Sequence, residues 1–217
     1  MKVLHVRRAA LALSAAVVLP LALTACSSDS KDSASGPTAS SAKASDPAAS
    51  ASADDSMSMD KPFGPGCATV PKSGAGSFDG MAKDPVATAA SHNPALSTLV
   101  TAVKKAGLVD TLNNAQNITV FAPTNDAFAK IPKADLDKLL ADKAALTKVL
   151  TYHVVGEKAT PKQLENGSFT TLEKGKLTTS GSDMSYTVND SSKVVCGNVP
   201  TANATVYIVD TVLMPPK

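Results

Sequence analysis

The chain has 217 residues, of which 43% are hydrophobic, 18% charged and only 4% aromatic, with no Trp. Its net charge of +2 hides a division: Lys2, Arg7 and Arg8 precede the first acid, and from Cys26 onward 18 Lys face 19 Asp and Glu with no Arg at all. A chain without a basic face, guanidinium forks or stacking rings is not built for nucleic acid, and that class is excluded.

In chain order, the first 25 residues read as a lipoprotein signal peptide. Met1–Arg8 is basic, and Ala9–Leu21 is an apolar run of 13 residues. Such a run is shorter than the roughly 20 residues a membrane span requires. Leu23-Thr24-Ala25-Cys26 resembles the bacterial lipobox, in which cleavage falls before the Cys and its thiol receives a diacylglyceryl group. An ordinary export signal with an incidental Cys is the alternative. The expected mature protein begins at a lipidated Cys26, lies outside the cytoplasm, and is anchored to the membrane without crossing it.

Residues 26–62 read as a tether. Ser27–Pro62 contains 12 Ser, 8 Ala and 6 Asp, and no Val, Ile, Leu, Phe or Tyr. Such a segment cannot bury enough apolar surface to offset its ordering entropy, and its expected random-coil span is roughly 30–36 Å. Met57 and Met59 among Asp54, Asp55 and Asp60 read as scattered linker residues rather than as a soft metal site.

Residues 63–217 form one expected domain, large enough to bury about two-thirds of its unfolded surface. It holds two Cys, Cys67 and Cys196. With Cys26 assigned to lipid, an even pair in an exported protein predicts a disulfide joining the domain's start to a late strand; two free thiols or a Cys nucleophile are the alternatives. Asp84-Pro85 and Asn93-Pro94 each predict an N-cap followed by Pro at the first helical position. Leu96, Leu99, Val100 and Val103 keep a helical period that ends near Gly107. Ile118–Ala122 is a β-rich run stopped by Pro123, followed by a short helix capped by Thr124. Asp135–Leu150 predicts helix in two pieces, Thr151–Val155 a strand, and Thr160-Pro161-Lys162-Gln163 a capping box. Five strands follow: Ser168–Leu172, Lys176–Ser180, Met184–Asn189, Lys193–Cys196 and Thr205–Leu213. Helices early and strands late give an α+β class.

Three blocks carry a resemblance. Thr119-Val-Phe-Ala-Pro-Thr-Asn-Asp-Ala-Phe128, the pair Tyr152-His153, and Ala204-Thr-Val-Tyr-Ile-Val-Asp-Thr-Val-Leu-Met-Pro215 resemble, in order and spacing, the signature blocks of the fasciclin (FAS1) family. Gly64-Pro-Gly-Cys-Ala68, Asp84-Pro-Val-Ala-Thr-Ala-Ala-Ser91 and Val194-Val-Cys-Gly197 are similar to the secreted and lipid-anchored mycobacterial members. The resemblance implies a single FAS1 domain, a twisted β-sandwich or wedge with packed helices, and adhesion or surface interaction without catalysis. It also implies an interaction or structural role for Thr124, Asn125, Asp126, Tyr152 and His153. Read from the residues, Asn125 and Asp126 hydrogen-bond nearby backbone. On strand alternation His153 is expected to be partly buried and bonded to a polar group of the Thr124–Asp126 turn. In animal members the Tyr-His region is implicated in receptor adhesion, which is the alternative role for Tyr152 and His153.

No Gly-x-Ser-x-Gly elbow, phosphate-binding loop or His-Glu-x-x-His occurs in the sequence. Asp135 and Asp137 read as acids near a helix start. Asn117, Asn166, Asn189 and Asn203 each begin a glycosylation tripeptide that a bacterial lipoprotein rarely uses. The expectation is therefore a non-enzymatic, lipid-anchored surface protein with no cofactor, no metal and no catalytic residue. Its partners would be the membrane, through the lipid, and a surface, wall or matrix component. A carrier of a small apolar ligand (a lipid or tetrapyrrole) is the alternative, and a hydrolase using Asp126 and His153 is a third reading.

Overall fold

A computed structural model describes residues 61–216 of the chain. The expected signal peptide, the lipidated Cys26 and the tether up to residue 60 lie outside the described residues. The early helices are short because capping residues and prolines interrupt them. They are α1 (Phe78–Met81), capped by Ser77, and α2 (Val86–Ser91), followed by a 3-10 turn at Pro94–Leu96, α3 (Ser97–Ala106) and α4 (Val109–Asn114). In α3, Leu99, Ala102, Val103 and Ala106 are buried along one face, the spacing of an amphipathic helix. Gly107 ends it with φ of 74°, a left-handed conformation that costs glycine no Cβ clash.

The cap expected at Asn93 is present: its side chain accepts from the Ala95 N–H, ahead of Pro94. The cap expected at Asp84 is not. Pro85 is the N-cap of α2, and the free N–H groups of that helix are met from elsewhere in the fold. Asn203 Oδ1 accepts from Val86 N–H at 2.8 Å, and Asn113 Oδ1 accepts from Ala87 N–H at 3.0 Å. Asp84 instead lies 3.3 Å from His92 Nδ1.

Strand β1 (Ile118–Pro123) leads into α5 (Asn125–Ala129), α6 (Lys133–Ala141) and α7 (Lys143–Tyr152). The break between α6 and α7 falls at Asp142, which caps α7 by accepting from the Ala144 and Ala145 N–H groups. Helix α7 runs on through Tyr152, so the strand expected over Thr151–Val155 shrinks to β2 (Val154–Val155). Helix α8 (Pro161–Leu164) carries the full capping box of Thr160 and Gln163. Strands β3 (Asn166–Thr170), β4 (Lys176–Ser182), β5 (Ser185–Val188), β6 (Ser192–Pro200) and β7 (Ala204–Val209) complete the chain.

The seven strands form one sheet in the order β2-β1-β7-β6-β5-β4-β3, in which only β1 and β7 are parallel. Its two ends meet. Val155 bridges Thr171, and the Leu172 N–H donates to the Val154 carbonyl at 2.8 Å, so the sheet curls into a near-barrel and both edges are covered. Register shifts at Val194/Cys196 and Cys196/Val199 mark irregularities in β6, the kind of bulge that bends a strand and increases its twist. They let β6 serve both walls of the resulting wedge.

Strand alternation divides the core in two. Ile118, Val120 and Ala122 of β1 and Ala204, Val206 and Ile208 of β7 face the helices. Phe121, Tyr207 and Val209 face the wedge interior, with Tyr152, Leu164, Phe169, Leu177 and Tyr186. Cys67 and Cys196 are disulfide-bonded, with Cα atoms 4.8 Å apart across 129 residues of sequence. The Gly-Pro-Gly run before Cys67 explains how it gets there. A side chain at Gly64 or Gly66 would strike the Val195 carbonyl, and Gly64 has φ of 104°; glycine alone lets this segment lie flat on β6.

Candidate functional site

The expected motif residues gather at the end of β1, the start of α5 and the end of α7. Thr124 follows β1 and caps α5, its Oγ1 accepting from the Ala127 N–H at 3.2 Å. Its own N–H donates to the Val209 carbonyl of β7. Asn125 reaches to the start of α3: Oδ1 accepts from the Thr98 N–H at 2.9 Å and from Ser97 Oγ at 3.2 Å, while Nδ2 donates to the Pro94 carbonyl at 2.9 Å. One amide therefore supplies a cap acceptor for α3 and fastens that helix to the sheet. Asp126 is exposed in the first turn of α5, where a carboxylate complements the helix dipole.

His153 differs from expectation in place and in partners. It is the C-cap of α7 rather than a strand residue, and it is 2% exposed rather than partly buried. Neither ring nitrogen bonds to the Thr124–Asp126 turn. Nδ1 lies 2.8 Å from the Val149 carbonyl, and Nε2 lies 2.9 Å from Leu213 N. A backbone N–H can only donate, so Nε2 accepts and Nδ1 carries the proton that goes to Val149. The ring thus ties the end of α7 to the buried C-terminal segment at Val212 and Leu213. Burial lowers its pKa from 6.5 to about 4, against the opposing effect of the Val149 hydrogen bond; the imidazole is neutral at pH 7.

Tyr152, beside it, turns the other way into the wedge and is 2% exposed. Its hydroxyl donates to the Lys176 carbonyl at 2.9 Å and accepts from Asn189 Nδ2 at 3.0 Å. Asn189 and Asp190 both have positive φ in the β5–β6 turn, so this hydroxyl holds a tight hairpin turn against β4. Chain reversal after α7 thus sends one aromatic group into each core layer. The hydrolase arrangement of Asp126 with His153 does not form: both imidazole nitrogens are committed to backbone.

Two polar residues of equal weight escaped the sequence reading. Asn203, 8% exposed, accepts from Val86 N–H and donates through Nδ2 to the Leu112 and Ala115 carbonyls at 2.8 and 2.7 Å. It caps the start of α2 and the end of α4 together, and so buried an amide is no glycan acceptor. Asp210, after β7, accepts from the Lys193 N–H at 2.8 Å and from Lys130 Nζ at 3.1 Å. Partial burial disfavours its charge, but the Lys193 N–H, Lys130 and Thr211 outweigh this and hold the carboxyl below its usual range. Only the first signal, an Asn in a loop, was visible, and it resembled a glycosylation site.

Comparison with known proteins agrees with this geometry. The family model described as Fasciclin domain matches residues 94–215. Over 162 residues the chain is 49% identical to cell surface glycolipoprotein MPT83 of Mycobacterium tuberculosis, covering 71% of this chain and 72% of that one. It is 47% identical over 161 residues to immunogenic protein MPB70 of Mycobacterium bovis, covering 70% and 82%. Among solved structures, the FAS1 domain pair of the insect cell adhesion molecule fasciclin I aligns with a TM-score of 0.51 at 20% identity. That alignment covers 62% of this chain and 52% of that one, a likeness of fold.

Proposed function

The chain belongs to the fasciclin family, and from that premise we propose that it is a lipid-anchored protein of the bacterial cell surface whose FAS1 domain works by binding a surface, wall or matrix component. The observation that carries this reading is the 49% identity over 162 residues to proteins named cell surface glycolipoproteins, in a chain that itself contains Leu23-Thr24-Ala25-Cys26. Residues 1–25 direct export, Cys26 takes the lipid, and the Ser/Ala/Asp-rich stretch lets the domain stand off the membrane. Binding rather than catalysis is the domain's work. Tyr152 and His153 spend their polar atoms inside the protein, so they shape the domain and its partner meets other, exposed residues. A single acyl chain gives weak membrane attachment, whereas the several chains of a bacterial lipoprotein anchor hold firmly.

The test uses the expected mature chain, residues 26–217, carrying Cys26→Ser, added to envelopes from cells that lack the protein. Saturable binding that unlabelled protein displaces is the expected result. Binding that is absent, or that rises without saturating, would refute a surface-binding role.

A further inference from the structure

The helix layer does not close completely on the sheet. Between α2 and α3 on one side and β1 and β7 on the other lies a cavity of about 210 Å³. Native interiors contain few voids larger than a water molecule, whereas an engineered apolar cavity of about 150 Å³ stays dry and binds benzene. The walls here are apolar: Leu96, Leu99 and Val103 from the helices, Val120, Val206 and Ile208 from the sheet. The lining also includes half-buried Val100 and exposed Ser91 and Lys104, so the space reaches the surface.

One polar group in the lining is out of keeping with these walls. Asn93 is 1% exposed, and among the described residues its Nδ2 is the one buried side-chain nitrogen or oxygen without a hydrogen-bond partner. The orientation of the amide is determined, because Oδ1 accepts from the Ala95 N–H at 3.0 Å and Nδ2 is left as the free end. The other buried polar side chain of the lining, His153, has both nitrogens used. A buried donor without an acceptor is costly, and capping the turn at Pro94 calls only for the oxygen, which Ser or Asp would supply equally well.

We propose that this cavity is a binding site for a small, neutral, apolar molecule carrying one hydrogen-bond acceptor, such as a ketone, ester or alcohol on a short alkyl chain, with Asn93 Nδ2 as the donor that orients it. An alkyl chain fills the apolar space, and the acceptor satisfies the one unpaired N–H. Asn93 offers a neutral N–H and the one cation of the lining, Lys104, is exposed; a carboxylate buried beside Asn93 would be desolvated at high cost, so the acceptor is neutral. The site uses no residue on which the surface-binding proposal depends, and either can fail alone.

The test is an NMR titration of the expected mature chain, residues 26–217, carrying Cys26→Ser, which has neither lipid nor signal run and so avoids detergent, with 2-heptanone and with heptane as probes. The expected result is that both shift the methyl groups of Leu96, Leu99, Val103 and Ile208, that only the ketone moves the Asn93 side-chain amide protons, and that the ketone binds about three- to tenfold tighter. In Asn93→Ser, whose hydroxyl keeps the cap but is too short to reach the ligand, heptane binding persists and the ketone's advantage disappears. Methyl groups unmoved by either probe at its solubility limit, or an advantage for the ketone that survives in Asn93→Ser, would overturn the assignment. If Asn93→Ser does not fold, the Asn93 amide decides in the parent chain: movement with ketone alone supports the site, and no movement refutes it.

Discussion

Acidification should weaken this fold through one imidazole. In the unfolded chain His153 titrates near pH 6.5, and in the fold burial lowers it to about 4. The folded value lies below the unfolded one, so unfolding takes up a proton in the interval between them. The stabilisation is therefore complete above pH 6.5 and is lost as pH falls toward 4. The interval spans roughly 2.5 pH units at about 1.4 kcal/mol each, or roughly 3 kcal/mol in all. The structural cause is specific: a proton added at Nε2 would point at the Leu213 N–H that now donates to it at 2.9 Å. Urea unfolding across about pH 7.5 to 4.5 should show stability falling by most of that amount relative to His153→Gln, which accepts the same bond without titrating. The difference curve cancels carboxylates common to both proteins. A flat difference curve, or an imidazole that titrates near 6.5 by NMR in the folded protein, would show that His153 does not carry this pH dependence.

Three further outcomes follow from the contacts described. Replacing Cys67 and Cys196 by Ser reopens a 129-residue separation and should cost up to about 5 kcal/mol in the chain-entropy account; equal urea midpoints for parent and variant would contradict it. Asn203→Ala strips the Val86 N–H and the Leu112 and Ala115 carbonyls of their partner. A loss of about 2–4 kcal/mol is expected, with faster amide exchange at the start of α2, and unchanged exchange there would argue against the shared cap. Tyr152→Phe removes only the hydroxyl bonds to Lys176 and Asn189. It should lower stability by about 1 kcal/mol while leaving surface binding intact; lost binding at unchanged melting temperature would make Tyr152 a contact residue instead.

Local signals were legible and distant ones were not. The capping box at Thr160–Gln163, the cap at Asn93 and the stop at Gly107 each depend on residues within a few positions. The alternating late strands announced themselves for the same reason. Asp84 misled because the acceptor for Val86 N–H comes from Asn203, 117 residues away, leaving the local candidate free to meet His92. His153 was mistaken for a strand residue because α7 continues two residues past Leu150, and its Nε2 bond spans 60 residues. The disulfide was reachable by parity of cysteines and compartment, without knowledge of the fold. The space behind α2 and α3 has no trace in sequence, since it arises from how far two helices stand off a sheet whose residues are individually ordinary core residues.

Cys26 is proposed to hold this domain on the outer face of the membrane. Cells producing the full chain or its Cys26→Ser variant, grown with an alkyne-bearing fatty acid, test it directly. The parent chain is expected to take up the label, sediment with membranes and be removed by protease added to intact cells, and the variant is expected to carry no label. A parent chain without label, or a variant labelled as strongly as the parent, would contradict it.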